Sequence, residues 1–215
     1  MRRLFGSNGV DDRKTFLMEM YRQMFADINR QMTVVWQAVS VVVGAFALLA
    51  LVEKNIVPLD VAVSLIVILS AWMYAHMLDG GYWYNRNLVI IANIERQFLL
   101  PSDQRDIQFY FGKHRSKANR MISYFKIQSG LAVAISSLVL AFHFSVRVVP
   151  GLDQPWSAFQ PARALPYLAA ILSVLTCIAF ASDRRRSYEN FLQNSPGVDV
   201  DTSGVEYGPG HTVDE

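Results

Sequence analysis

Four histidines, His76, His114, His143 and His211, are the side chains of this 215-residue chain best suited to hold a haem or relay protons. Two imidazoles must face each other at one depth to share an iron. His76 ends one long apolar block and His143 ends another that runs back the opposite way. They are therefore placed at opposite ends, and all four are expected to be solvated. The single cysteine, Cys177, sits inside an apolar block. It cannot form an intrachain disulfide, and it reads as a packing residue. Gly80-Gly81 lacks the lysine and the spacing of a phosphate-binding loop, and is expected to break a helix instead. No His-Glu-x-x-His, paired cysteines or nucleophile elbow occurs. The expectation is a non-enzymatic protein with no cofactor and no metal.

The remaining polar residues of interest lie within apolar stretches. Ser40-xxx-Gly44 and Gly130-xxx-Ala134 put small residues at helical contact spacing, and Gln37, Gln128, Ser129, Ser136 and Ser137 are buried in the same apolar stretches. Small residues let helices approach closely, and hydroxyls and amides hydrogen-bond across the interface. A glutamine amide facing hydrocarbon would cost several kcal/mol if unsatisfied. These positions are expected at helix contacts within one bundle, or at an oligomer interface or pore.

The elements that carry them are four blocks: Thr33–Val52, Val57–Met77, Phe125–Phe144 and Leu165–Ala181. About 20 apolar residues span a bilayer core as a helix. The first and fourth blocks carry no formal charge, the second only Asp60 and the third only Lys126, each near an end. A soluble bundle would show a charged face on each helix. The fold class is therefore all-α: a polytopic membrane protein with four transmembrane helices in two antiparallel hairpins plus a cytoplasmic helical layer. No charge sits at mid-depth, which argues against a proton-coupled small-solute transporter. The first block lies too far into the chain for a signal peptide and reads as a retained span.

Charge fixes the orientation. Lys and Arg gather on the cytoplasmic side of short loops. Residues 1–31 hold six, the stretch from Arg86 to Lys126 holds eight, and Arg184, Arg185 and Arg186 follow the fourth block, against only Lys54, Arg147 and Arg163 on the other side. Both terminal segments are placed in the cytoplasm, in a bacterial inner membrane. The run Lys113, Arg115, Lys117 and Arg120, like Arg184–Arg186, suits anionic lipid headgroups or the topology signal itself rather than nucleic acid.

The chain divides into residues 1–31, an amphipathic helix with Leu17, Met20, Tyr21, Met24 and Ile28 on one stripe, started by Asp11 or Asp12 as cap; 32–77, the first hairpin; 78–124, a cytoplasmic helical segment including a second short helix from Gln104 to about Phe111; 125–182, the second hairpin; and 183–215, a basic juxtamembrane segment with a disordered acidic tail. Trp156 and Phe159 are expected at the outer interface.

The layout of residues 13–100 resembles the SLATT type of small bacterial membrane proteins. The likeness rests on Tyr21 to Met32, the tight hairpin, Trp83-Tyr84-Asn85-Arg86-Asn87-Leu88 and Asn93-Ile94-Glu95-Arg96. The second hairpin departs from that pattern. The resemblance implies an oligomeric membrane effector, of pore-forming kind, and transfers no functional residue. The reading is a non-enzymatic membrane protein that self-assembles through its spans, as a channel or membrane-disrupting effector. The alternative is a scaffold subunit docking a cytoplasmic protein partner through 78–124.

Overall fold

A computed structural model describes residues 8–100, 102–107, 118–152, 154–155 and 160–196. The elements are α1 (Asn8–Ala45), α2 (Ala47–Glu53), α3 (Leu59–Phe98), α4 (Asp103–Asp106), α5 (Ser123–His143) and α6 (Leu165–Gln193), with a π-turn and a 3₁₀ turn continuing α5 to Gly151. The described residues are helical or connecting, with no strand among them. Four helices, counting α1 with α2, are long and apolar enough to cross a membrane. Contacts divide the chain into two units. The first comprises the described parts of 1–31, 82–120 and 187–215, the second 32–81 and 121–186.

In the second unit, α1 and α2 are separated only at Phe46, where the amides of Phe46 and Leu49 bond three residues back rather than four. The chain then reverses in five residues. The Asn55 amide donates to the Val52 carbonyl and the Ile56 amide to that of Leu51, while Asn55 takes φ 55°. These two bonds are a Schellman stop, with asparagine in the left-handed position that usually takes glycine. Pro58 follows, and its carbonyl accepts the first amides of α3, from Val61 and Ala62. The core of the unit is formed by Ala45, Val63, Ile66, Val67 and Val139, packed against side chains such as Phe46, Ile135 and Ala170. All four long helices thus meet there.

Gly80 and Gly81 do not break α3, which runs 40 residues without interruption. Their role is close approach. A Cβ on Gly80 would lie 3.3 Å from Phe125 Cζ, and one on Gly81 would lie 3.6 Å from Met121 Cγ. Phe125 is fully buried against this bare patch. The missing side chains make room for α5 to start, and helix contacts compensate for glycine's low propensity of about 1 kcal/mol per residue.

In the first unit, the stripe of α1 that carries Leu17, Met20, Tyr21, Met24 and Ile28 is its packed face. Tyr21 donates to Glu95, and Arg13 to Gln97. Asp27 is turned inward rather than to solvent, accepting from Asn87 Nδ2 at 3.1 Å. Asn85, also buried, donates to Asn119 Oδ1 and to the Arg120 carbonyl. Tyr188, 1% exposed, meets Tyr82 edge to face, and Arg86 lies over the rings of Trp83 and Phe191. The stretch after the basic triplet is therefore the helical end of α6, which runs to Gln193. Asp11 falls inside the first turn of α1 and Asp12 later still, so neither is its cap. The short helix expected over 104–111 is observed only as Asp103–Asp106, with Ile107 extended and the rest outside the described residues.

Candidate functional site

The strongest polar constellation in the second unit lies at its hairpin end and was not assembled from the sequence. Asp60 in the first turn of α3, His143 at the end of α5, Arg147 one turn later and Tyr167 in the first turn of α6 meet there. His143 was expected to be solvated; it is 0% exposed, and Asp60 is 2% exposed. Asp60 Oδ1 lies 2.9 Å from His143 Nε2 and accepts from Arg147 Nε at 3.1 Å, while Oδ2 accepts from Arg147 Nη2 at 3.1 Å. The other imidazole nitrogen, Nδ1, is 3.1 Å from the Tyr167 hydroxyl. A carboxylate only accepts, so in the neutral imidazole Nε2–H donates to Asp60 and Nδ1 accepts from the Tyr167 O–H.

The helices dictate this meeting. His143 and Arg147 are four residues apart and share one face. Asp60 starts a helix where a negative charge is favoured, and Tyr167 lies in the first turn of α6. The Arg147 guanidinium is bidentate on a buried carboxylate, the strongest geometry such a pair offers. The hydroxyl–imidazole–carboxylate chain has the order of a nucleophilic relay, but the arginine clamp neutralises its carboxylate. Its direct effect is to tie the starts of α3 and α6 to the end of α5.

Next to this cluster runs an apolar groove of about 430 Å³ between α3, α5 and α6. Its walls are mostly small: Ala71, Ala132, Ser136, Ala170, Ser173 and Cys177 are among them. Ser70 donates to the Ile66 carbonyl and Cys177 to that of Ala71, so these polar atoms are satisfied within the helices. Sealed and empty, a void of that size would cost about 10 kcal/mol at roughly 24 cal/mol per Å³. It is open along one side instead.

The residues singled out from sequence divide into three groups. Ser136 and Ser137 line the groove. Gln128 and Ser129 are buried, Ser129 donating to Met121 Sδ at 3.4 Å. Gln37, Ser40, Gly44 and Gly130 face outward, and a Cβ on Gly44 or Gly130 would meet nothing within 4 Å. The rotation of α1 and α5 is set by Val35, Ala38 and Val42, and by Phe125, Ala132 and Val139, which are buried. Ser40 donates back to the Trp36 carbonyl. Of the basic residues, Arg184 binds Asp79 and Asp183 and lies over Phe180, while Arg185 and Arg186 are exposed. Arg120 is exposed, and Lys113, Arg115 and Lys117 lie outside the described residues, as do Trp156, Phe159 and the acidic tail. Among the described residues, no group of three or more His, Cys, Asp or Glu could hold a metal ion.

Comparison with known protein families, curated proteins and solved structures finds no match to this chain.

Proposed function

We propose that this chain is a four-span protein of a bacterial inner membrane, with both terminal segments cytoplasmic, that self-assembles through the outward faces of α1 and α5. One observation carries the reading. In the most apolar windows of the four long helices only 22%, 39%, 17% and 6% of the residues are buried within the chain. Leu138, Leu172 and Ile178 are more than 60% exposed. Such surfaces are stable where acyl chains replace water. The orientation rests on the basic residues, and Arg147, one of the three on the sparse side, is paired with Asp60.

Self-assembly is supported by Gln37, Ser40 and Gly44 on α1 and by Gly130 and Ala134 on α5, which are outward and exposed in one copy. A second copy offers Gln37 a partner and lets the two glycines give close contact. A conducting path then runs between copies, as in a channel or membrane-disrupting effector, the role implied by the SLATT-like layout. The test is size measurement in detergent. Wild-type chain forms a homo-oligomer, and Gly44→Leu with Gly130→Leu shifts it to monomer. A monomeric wild type overturns self-assembly, and a chain that stays in solution without detergent overturns the membrane reading.

A second reading, a scaffold docking a cytoplasmic partner, is favoured by Phe16 and Met18, 64% and 41% exposed on α1 in the first unit. It requires a soluble protein that co-purifies with the wild type and is lost in Phe16→Ser.

A further inference from the structure

We infer that the groove between α3, α5 and α6 is a binding site for one acyl chain of an anionic phospholipid, whose headgroup rests at the hairpin end beside Arg163 and Arg147. The inference rests on the membrane reading above and adds a ligand to it.

The groove's dimensions select the occupant. Along α6 its lining runs from Ala170 to Ala181, eleven helical steps, or about 17 Å. A groove of about 430 Å³ drawn out over that length is long and narrow. That shape suits a single hydrocarbon chain better than a whole helix about 10–12 Å across. The walls offer that chain apolar and small side chains, with the Ser70 and Cys177 donors already bound to carbonyls. Outside the groove, Leu168, Ile171, Leu172 and Leu175 of α6 are exposed, so the mouth opens where lipid is the surrounding medium.

The polar end selects the headgroup. Leu140 and Ala170 line the groove, and His143 and Tyr167 lie three residues from them, about 4.5 Å along each axis. The charged cluster therefore caps this end. Arg147 Nη2 and Arg163 Nε both donate to Gln160 Oε1, at 3.4 and 3.3 Å. Two guanidiniums share this amide, and Asp60 neutralises one of them. Among the described side chains of this cluster a net positive charge remains beside the groove, complementary to a phosphodiester. Gly151 belongs to this arrangement, since a Cβ there would overlap the Arg163 guanidinium.

Native mass spectrometry of the full chain, released from detergent after titration with phosphatidylglycerol or phosphatidylcholine of identical acyl chains, tests the inference. The wild type should retain one phosphatidylglycerol per chain, with a preference of about fivefold over phosphatidylcholine. Ser173→Phe fills the groove and should weaken retention of both lipids about tenfold. Leu172→Phe, on the exposed side of α6, should leave both unchanged. Arg163→Gln should abolish the headgroup preference while keeping chain binding. Should Ser173→Phe lose its helical circular dichroism, Ser136→Leu replaces it with the same expected outcome. Equal retention of the two lipids by the wild type, or full retention by a folded groove-filled variant, overturns the inference. A detergent-dependent chain that retains no lipid defeats this inference alone, whereas a chain soluble without detergent defeats the membrane reading beneath it.

Discussion

Replacing Arg147 with methionine should destabilise the protein more than replacing its partner, and the asymmetry can be worked from the cluster. Asp60 is 2% exposed and receives three hydrogen bonds, one from His143 and two from Arg147. Arg147→Met removes two of the three and leaves a buried carboxylate with a single donor. Breaking a buried pair from that side costs about 3–5 kcal/mol. The Arg147 side chain is 34% exposed and keeps part of its hydration, so the lower end, about 3 kcal/mol, applies. Asp60→Asn leaves instead a guanidinium that can turn to water or headgroups, and an amide that still accepts from His143. That should cost about 1–2 kcal/mol. The double variant should recover part of the sum, a coupling of about 1–2 kcal/mol. Unfolding in mixed micelles with increasing sodium dodecyl sulfate, followed by circular dichroism, gives all four free energies. If both single variants cost the same small amount and add without coupling, the cluster does not hold the helix ends together.

Other outcomes follow from single contacts. Gly80→Leu should lower stability by about 1–3 kcal/mol through overpacking against Phe125, while Gly80→Ala should fall within about 1 kcal/mol of wild type, because its 3.3 Å contact meets only the tip of a ring; thermal unfolding in detergent compares them. Asn85→Leu should cost about 1–3 kcal/mol by losing its bonds to Asn119 and the Arg120 carbonyl. Asn87→Leu should cost less, since among the described residues Asn87 Oδ1 is buried without a hydrogen-bond donor, and relief of that penalty offsets the lost bond to Asp27; hydrogen exchange of α3 beyond Gly81 reads both. Gly44→Ala should leave the folded monomer as stable or up to about 1 kcal/mol more so, as the added methyl enters open space in a helix, while weakening any oligomer seen by size measurement.

Composition and hydropathy by themselves determined that the fold of the described residues is all-α and where its four long apolar helices lie. Those properties are local: a run without charge has no wet face, and Asn55 with Pro58 punctuates the turn between two runs. The stripe of α1 from Leu17 to Ile28 was legible for the same reason, since a polar face contrasts with it. A helix that is apolar all round carries no such mark of its rotation, so its partners are decided only by packing. That is why Gly80-Gly81 reads as a break in sequence although Phe125 packs against it, and why sequence leaves Gly44 and Gly130 open between bundle contacts, an oligomer interface and a pore. Asp60, His143 and Arg147 were each placeable at the same end by counting spans, but the sequence separations of 83 and 87 residues hid their bonds. The groove belongs wholly to the tertiary structure, because it exists only where small residues of three helices face one another.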